Sequence, residues 1–367
     1  IYFLLIISLN MSINKDKIYG SIYGGFVGDA LGFPVEGHSR KFIIDYYIPK
    51  IFNNDVLKMG RGYNKKTKMN GPIYESESNE CSWFYKFGQY TDDSQLSRLV
   101  LETIIENNGT FNYAKYGHEI GKIFDSGKIV GLGKSSQTAA GKLLNGLIDY
   151  RFSGTANAIT NGSAMRSDIF GVLFHKNAKQ LYEVVTTCSM MTHMSSKAAA
   201  GSLCISAFVA TALNLNENDE FDSDLFINNA IYLIKNVDKE YTSFLLQFRT
   251  ILEMNDIDAY KKIKSFDTVS WGKNKISSGV VSSTLYSIYC FLKNHKSYSK
   301  CIIMALSAGG DVDTIAKMAG SISGAYLGIN HIPDCFINRL NDNNGWNAKD
   351  IKNIIDKVIN SEIKTIK

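Results

Sequence analysis

The chain is poor in proline and shows no paired cysteines. Four prolines in 367 residues leave long stretches in which a helix can run unbroken. Runs that alternate apolar and polar residues are rare, which argues against an extensive β-sheet. The cysteines have no C-x-x-C spacing and no disulfide density, so we expect buried, reduced thiols in an intracellular, cytoplasmic protein. These cysteines are Cys81, Cys188, Cys204, Cys290, Cys301 and Cys335.

A strong excess of charge of one sign is also missing. Forty basic residues against 35 acidic ones give a formal net charge of +5, which is weak for this length. The basic residues cluster locally only at Lys58, Arg61, Lys65, Lys66 and Lys68. We interpret this cluster as a solvated loop rather than a nucleic-acid patch. We therefore expect neither a nucleic acid nor a membrane as partner, and a monomer by default.

The first residues of the chain are apolar but lack the marks of a targeting signal. Residues 1–9 carry no basic region and no small-residue cleavage site, and they are too short to span a membrane. Met11 precedes a polar stretch and then the first patterned helix. We predict that residues 1–10 are a non-native or disordered leader and that residues 11–367 form one domain. An extra buried strand or helical turn is the alternative.

Helical periodicity dominates what is present. After Asp93 the apolar positions Leu96, Leu99, Val100 and Ile104 follow the i, i+3, i+4 spacing of one helix face. The same spacing recurs after Asp313 and in residues 351–359. The pattern predicts a mainly α-helical single domain. Residues 51–89 are polar and poor in periodicity, so we predict a surface insertion there that is disordered in part.

Glycines recur at every fourth residue in two distant segments. Residues 20–28 and 320–328 match at five of nine positions, and both place glycine along one helix face. Each helical glycine costs about 0.5–1 kcal/mol relative to alanine, so a compensating contact is required. We predict that these two helices cross closely and bring Asp29 and Glu36 near Asp311 and Asp313. The alternative use of this spacing, a transmembrane dimer, is disfavoured by Asp29 and by the short length.

Two short acidic motifs share one chemistry. The first is Thr91-Asp92-Asp93-Ser94, and the second is Gly310-Asp311-Val312-Asp313-Thr314; each opens an apolar helical pattern. Both offer only hard oxygen ligands, which suit Mg²⁺ or Mn²⁺ rather than zinc or copper. Helix N-capping explains one acid per helix, and for either motif alone it is the better interpretation. For both motifs together we favour two divalent cations held between two helix N-termini.

Two further turns could contact phosphate. The segments 131–136 and 160–166 are rich in small residues whose backbone N–H groups suit an anion at a helix start. Such turns are also common connectors, so each signal is weak alone. Thr192-His193 precedes a helix of small residues. A lone histidine is more often a packing or capping residue than a catalytic one.

Five motifs in this order resemble the ADP-ribosylglycohydrolase family. They are Gly28-Asp29-Ala30-Leu31-Gly32 with Glu36, Thr91-Asp92-Asp93-Ser94, residues 161–166, Thr192-His193, and Gly310-Asp311-Val312-Asp313-Thr314. The resemblance runs from about residue 18 to beyond residue 346. It implies a compact all-α orthogonal helical bundle with a centre of two divalent cations, with Mg²⁺ favoured over Mn²⁺.

The resemblance also implies roles for individual residues. Metal ligands would be Thr91, Asp92, Asp93, Asp311, Asp313 and Thr314, and catalytic residues would be Glu36, Asp92 and Asp313. Substrate contacts would come from Gly131, Gly133, Ser135, Asn161, Gly162, Ser163, Met165 and His193. Ser94 and Val312 depart from the family pattern, where threonine is usual at both positions. The insertion at 51–89 could reshape the entrance and change which acceptor is used.

The implied activity is metal-dependent hydrolysis that removes ADP-ribose from a modified protein side chain or small molecule. The bond at the ribose anomeric carbon breaks through an oxocarbenium-like transition state. Two cations can polarise the attacking water, and a carboxylate such as Glu36 can transfer its proton. The alternatives are a non-catalytic ADP-ribose-binding protein and a metal-dependent phosphohydrolase. The sequence leaves open whether the acceptor is arginine, serine or a small molecule.

Overall fold

The computed structural model describes residues 14–51, 58–65, 68–74, 76–77, 81–146, 149–215, 219–343, 345–361 and 363–364. The predicted leader at residues 1–10 lies outside these. The helices are α1 (Lys15–Gly32), α2 (Arg40–Phe42), α3 (Asp92–Glu106), α4 (Tyr113–Asp125), α5 (Lys134–Leu144), α6 (Asp168–Leu173), α7 (Ala178–Met190), α8 (Ser196–Asn214), α9 (Ser223–Ile234), α10 (Lys239–Leu246), α11 (Phe248–Glu253), α12 (Asp256–Lys264), α13 (Val280–Lys293), α14 (Tyr298–Leu306), α15 (Val312–Leu327), α16 (Asp334–Ile337) and α17 (Ala348–Asn360). The predicted helical fold class is confirmed.

The core is built around α1 and α15, with α8, α13 and α14 packed against α15. The N-terminal region of α1 also reaches α8, because the Lys17 ammonium donates to the carbonyl oxygens of Ala212 and Leu215 at distances of 3.1 and 2.7 Å. A cation at a helix C-terminus satisfies carbonyls that have no intrahelical partner. By length and composition α8 could cross a membrane, but 83% of its apolar window is buried inside the protein. That burial is typical of a core helix.

Helices α1 and α15 pack antiparallel along the glycine faces that the sequence predicted. A Cβ atom at Gly24 would collide with the carbonyl oxygen of Gly320, and one at Gly20 would collide with that of Gly324. The Ser21 and Ser321 hydroxyls lie 3.0 Å apart across the same contact. The predicted helix crossing is therefore confirmed, and the missing side chains are what allow the backbones to touch.

The segment predicted as a surface insertion contains a small sheet. Strands β1 (Met59–Asn64), β2 (Met69–Tyr74) and β3 (Cys81–Tyr85) form an antiparallel sheet in the order β2-β1-β3. β1 and β2 lie against a 3₁₀ turn, Phe33–Val35, that follows α1. β1 contains two glycines and β2 contains a glycine and a proline, residues that weaken the strand signal of a sequence. Two further strands, β4 (Thr155–Ala156) and β5 (His193–Met194), pair in parallel.

Two expectations about single side chains were wrong. Cys335 is exposed rather than buried, while Cys188, Cys204, Cys290 and Cys301 are buried as expected. Within the basic cluster Lys58, Lys65 and Lys68 are exposed, but the Arg61 side chain is only 11% exposed. Its burial is explained by a carboxylate partner and an aromatic ring, described below.

The helix contact predicts a large effect of a side chain at Gly24. Replacing Gly24 with Leu should destabilise the protein by about 3 kcal/mol or more, because backbone atoms of α15 cannot move aside as a flexible side chain can. Thermal unfolding followed by circular dichroism measures this. Gly141 in α5 is the matched control, since a Cβ there meets nothing within 4 Å. Gly141→Ala should stabilise by about 0.5–1 kcal/mol, and an unchanged melting temperature for Gly24→Leu would contradict the contact.

Candidate functional site

The N-termini of α3 and α15 meet at a cavity of about 530 Å³. Asp92 and Asp93 occupy the first turn of α3, Asp311 precedes α15, and Asp313 lies in its first turn. The cavity is lined by Glu36, Asp92, Asp93, Gly131, Leu132, Gly133, Lys134, Ser135, Ser136, Thr160, Asn161, Gly162, Met165, His193, Trp271, Ser278, Asp311, Asp313 and Thr314. Two motifs separated by more than 200 residues thus share one site.

Asp29 of α1 holds the first acidic motif in place. Its carboxylate accepts hydrogen bonds from the backbone N–H and hydroxyl of Thr91, the latter at 2.9 Å, and from the N–H and hydroxyl of Ser94, the latter at 2.6 Å. Asp29 is fully buried. A carboxylate with this many donors fixes the turn at the start of α3, and it is itself no lining residue of the cavity.

Three carboxylates converge at one end of the cavity. Glu36, Asp311 and Asp313 each offer an oxygen, and these oxygens lie within 4.8 Å of one another. The Thr314 hydroxyl lies between the two motifs, 3.3 Å from Asp93 Oδ2 and 3.3 Å from Asp311 Oδ1. The predicted approach of Glu36 to Asp311 and Asp313 is confirmed. The Thr314 hydroxyl links Asp93 of the first motif to Asp311 of the second.

Burial and mutual repulsion disfavour the ionised forms of these acids. Burial raises the pKa of Asp311 to about 6, and Glu36 adds to this rise while the Asn161 amide opposes it. Burial also raises the pKa values of Asp92, Asp93 and Asp313 well above the usual range, with further increases from neighbouring carboxylates. Acids that repel each other in a buried site require a proton or a cation between them.

The residues present fit divalent cations. Asp93 Oδ1 is buried and has no hydrogen-bond partner within the part of the chain that the structure describes. The cluster presents carboxylate and hydroxyl oxygens, the hard ligands that Mg²⁺ and Mn²⁺ prefer. A buried carboxylate oxygen that lacks a donor is an uncompensated acceptor, which a cation can satisfy.

A buried ion pair lies one helical turn below the acids. Lys317 Nζ is 2.5 Å from Asp168 Oδ1, and both side chains are about 1% exposed. Burial raises the pKa of Asp93, and the Lys317 ammonium partly offsets that rise. The sequence analysis missed this pair. The spacing of four residues between Asp313 and Lys317, which places both on one face of α15, was the available signal.

The loop before α5 passes directly over the first acidic motif. A Cβ atom at Gly131, where φ is +85°, would lie 3.0 Å from Asp92 Oδ1. The Gln95 side chain holds this loop, accepting from Val130 N at 3.0 Å and donating to the Lys128 carbonyl. Glycine is needed at residue 131 both for its backbone conformation and for the close approach. No motif or spacing in the sequence indicated this role of Gln95.

Asn161 connects the second small-residue turn to the second acidic motif. Its amide nitrogen donates to Asp311 Oδ2 at 2.7 Å and to the Ser283 hydroxyl at 3.1 Å. Its backbone N–H donates to the Ser278 carbonyl at 2.9 Å. These three bonds fix the 3₁₀ turn Asn161–Ser163 against both α13 and the loop before α15.

His193 is buried, neutral and held on both sides of its ring. Nδ1 is 2.9 Å from the Thr192 hydroxyl, and Nε2 is 3.0 Å from the Thr160 hydroxyl. Arg166 donates to the same Thr192 hydroxyl at 2.7 Å. Burial, with a contribution from the Arg166 charge, lowers the pKa of His193 to about 3. A histidine in this state shapes the cavity wall and keeps its charge at zero.

Most residues implied by the resemblance line this one cavity, but two do not. The Thr91 hydroxyl is directed to Asp29 and to Asp93 Oδ2, 3.2 Å away. The Ser163 hydroxyl accepts from the hydroxyls of Ser189 and Ser202, each at 3.0 Å. Neither is a lining residue. The roles in metal and substrate binding stay predictions for the whole set.

Glu36 has a partner from the inserted sheet. Arg61 of β1 places a guanidinium nitrogen 2.8 Å from Glu36 Oε2. The same guanidinium donates to the Phe33 carbonyl and lies 4.8 Å from the centre of the Phe33 ring. The Glu36 side chain is 27% exposed, whereas Asp92, Asp93, Asp311 and Asp313 are at most 6% exposed.

The raised pKa of Asp93 predicts a pH-dependent gain in stability on its removal. When the pKa of a carboxyl group is higher in the folded than in the unfolded protein, its contribution to stability is fully present below the unfolded-state pKa. That contribution is lost as the pH rises through the folded-state pKa. In EDTA, Asp93→Asn should therefore melt about 2–5 °C above the unmodified protein at pH 7.5. The difference should shrink towards pH 4, where Asp93 is protonated. Differential scanning calorimetry across pH measures it.

Added Mg²⁺ should reverse that order. It should raise the melting temperature of the unmodified protein and have much less effect on Asp93→Asn, because one ligand is missing. Asp149→Asn removes an exposed carboxylate that pairs with Arg151 and does not line the cavity, and this variant should keep the full gain. An equal Mg²⁺ effect in all three proteins would contradict a metal site at Asp93.

The comparisons with known proteins agree with this geometry. The sequence profile of the ADP-ribosylglycohydrolase family matches residues 11–365. The chain is 26% identical over 357 residues to the ADP-ribosylhydrolase ARH3 of Xenopus tropicalis, covering 88% of this chain and 90% of that protein. It is 24% identical over 334 residues to the protein YegU of Escherichia coli (strain K12), covering 86% of this chain and 89% of YegU.

A solved structure shares the fold. It is described as an ADP-ribosylglycohydrolase-related protein complex and superposes with a TM-score of 0.65 at 15% identity, covering 95% of this chain and 99% of its own. A match at that identity speaks for the fold alone. The family profile spans nearly the whole chain, and the cavity described above contains the acidic motifs that carried the resemblance. The chain is a glycohydrolase enzyme and belongs to the ADP-ribosylglycohydrolase family.

Proposed function

We propose that this enzyme hydrolyses the bond at the ribose anomeric carbon of an ADP-ribosylated acceptor, with two divalent cations in the acidic cluster. The observation that carries the proposal is one cavity lined by both acidic motifs and by both small-residue turns. An acidic centre alone would serve many metal-dependent hydrolases. The adjoining turns add the neutral, glycine-rich surface that a diphosphate and its riboses require.

The acidic side chains would hold the cations. Asp92, Asp93, Asp311, Asp313 and Thr314 line the cavity and supply the oxygens. When bound, the cations would orient the vicinal ribose hydroxyls and lower the pKa of the attacking water. Asn161 would keep Asp311 in its ligating orientation, since its amide donates to Oδ2.

Glu36 would move the proton. Its carboxylate lies at the edge of the cluster and is the most exposed of these acids, so water and substrate can reach it. One oxygen accepts from Arg61, which leaves the other free to accept the proton of the attacking water. Glu36 is not at a helix N-terminus; it directly follows the 3₁₀ turn Phe33–Val35.

The substrate would lie against the two small-residue turns that line the cavity beside the acids. The N–H groups at the start of α5, an 11-residue helix capped by Gly133, can donate hydrogen bonds to phosphate oxygens. Gly162 packs closely on His193, since a Cβ atom there would come 2.8 Å from Cε1. The neutral state of His193 suits this wall, because a second cation there would compete with the metals. Unpaired thiols at Cys188, Cys204, Cys290 and Cys301 support an intracellular setting for the reaction.

The reaction predicts metal-dependent release of free ADP-ribose. Arginine-linked and serine-linked ADP-ribosyl peptides are incubated with the full chain in Mg²⁺ or EDTA, and ADP-ribose is measured by mass spectrometry. We expect release from one linkage in Mg²⁺ and none in EDTA. Asp313→Ala should lower turnover at least about 100-fold, because it removes a proposed metal ligand that lies beside Glu36. Asp149→Asn should retain full turnover.

Product identity separates this activity from its rivals. Release of inorganic phosphate or AMP in place of ADP-ribose would identify a phosphohydrolase. Tight ADP-ribose binding without any product from either linkage would contradict hydrolysis and leave a binding protein. Full turnover of Asp313→Ala in EDTA would exclude the metal centre.

A further inference from the structure

Backbone hydrogen bonds tie the segment that carries Glu36 to the second metal motif. Gly37 N donates to the Gly310 carbonyl at 2.7 Å, and Gly310 N donates to the His38 carbonyl at 2.9 Å. The Lys275 ammonium donates to the Gly37 carbonyl at 2.6 Å. These bonds fix the main chain of Glu36 beside Asp311. They leave the three side-chain torsions of Glu36 undetermined.

The Glu36 carboxylate is held from the opposite side by the inserted sheet. Arg61 lies on β1, the central strand of the sheet, with Pro72 and Tyr85 as its cross-strand neighbours. Its guanidinium contacts Glu36 Oε2, the Phe33 carbonyl and the Phe33 ring together. A planar cation with three such contacts has one orientation, and its hydrogen bond anchors the Oε2 atom of its carboxylate partner.

We propose that Arg61 is a positioning residue that acts through Glu36. It keeps one Glu36 oxygen on the guanidinium so that the carboxylate stays within 4.8 Å of the oxygens of Asp311 and Asp313. The inserted sheet thereby contributes to a site whose other parts are helical. The inference deepens the proposed function and rests on it for the role of Glu36 in turnover.

The pair is better suited to positioning than to stability. Arg61 is mostly buried, but Glu36 is partly exposed at the rim of the cavity, and ion pairs with one solvated partner contribute little to folding. The backbone bonds to Gly310 already hold the segment in place. Removal of the guanidinium should therefore release the carboxylate while leaving the fold intact.

A double-mutant cycle tests the proposal. Arg61→Gln should lower kcat about 10- to 100-fold with little change in KM, the range found when a partner that orients a metal-site residue is removed. Arg61→Lys should recover part of the loss, since it keeps the charge but not the planar fork. In a Glu36→Gln background, Arg61→Gln should have no further effect, because the group through which it acts is gone.

Binding of Mn²⁺ gives a second readout that needs no turnover. Calorimetric titration should show weaker Mn²⁺ binding in Arg61→Gln and in Glu36→Gln, and no additional weakening in the double variant. Arg249→Gln is the matched control, because it also removes one arginine charge and one ion pair, with Asp224, on a surface that does not line the cavity. It should leave kcat and Mn²⁺ affinity unchanged.

Each contrary outcome is distinct. Equal losses from Arg61→Gln in both backgrounds, together with a lower melting temperature, would show a merely structural role and overturn the proposal. Higher turnover in Arg61→Gln would show that the pair restrains Glu36, which also overturns it. If the unmodified protein releases no ADP-ribose, the proposed function fails, and the Mn²⁺ cycle still decides whether Arg61 and Glu36 are coupled.

Discussion

The close contact of α1 and α15 determines where every acid of the site lies. The glycine faces set an antiparallel register in which Gly28 lies against Ala316 and Gly32 against Asp313. The end of α1 is thereby brought to the start of α15. Glu36, which follows α1, and Asp311, which precedes α15, therefore lie close together. A slip of one helical turn would move these residues about 5.4 Å apart. Asp29, on the same helix, then orients the start of α3 through Thr91 and Ser94. One packing contact thus fixes three chain segments.

The concentration of negative charge is the main energetic cost of this arrangement, and the chain offsets it only in part. Asp29 is satisfied by hydrogen bonds, although burial still raises its pKa to about 6. Asp311 accepts from Asn161, and Lys317 supplies one buried positive charge near Asp93. What remains is Asp93 Oδ1 without a donor among the described residues. In a fold that holds such a cluster together, a divalent cation at these oxygens would offset the repulsion, so the proposed metal affinity and the cost of the metal-free cluster would have one origin.

The sequence predicted the frame because the frame depends on local pattern. Helix starts at Thr91 and Asp311 follow from caps and apolar spacing, and the helix contact follows from two glycine faces that needed compensation. Residues that act across the fold carried weaker signals. Arg61 resembled a solvated loop residue because its partner Glu36 is 25 positions away and the strand between glycines has no alternating pattern. Gln95 and Asp168 lie in ordinary helical positions, and only the tertiary approach of the loop before α5 and of Lys317 gives them a role.

Glu36 differs from the other acids in what holds it. Asp92, Asp93 and Asp313 lie in first helical turns, where the helix dipole and the packing of α1 against α15 fix their backbones. Glu36 follows a short 3₁₀ turn, and its carboxylate depends on a residue from the inserted sheet. Strands β1 and β2 pack on that turn, and Met59 of β1 is part of the buried core. A change at Arg61 would remove the partner of the acid at the rim, whereas the acids below it keep the support of their helix N-termini. The two kinds of acid thus have different supports, and the support of the rim acid can vary in sequence while the helix frame stays the same.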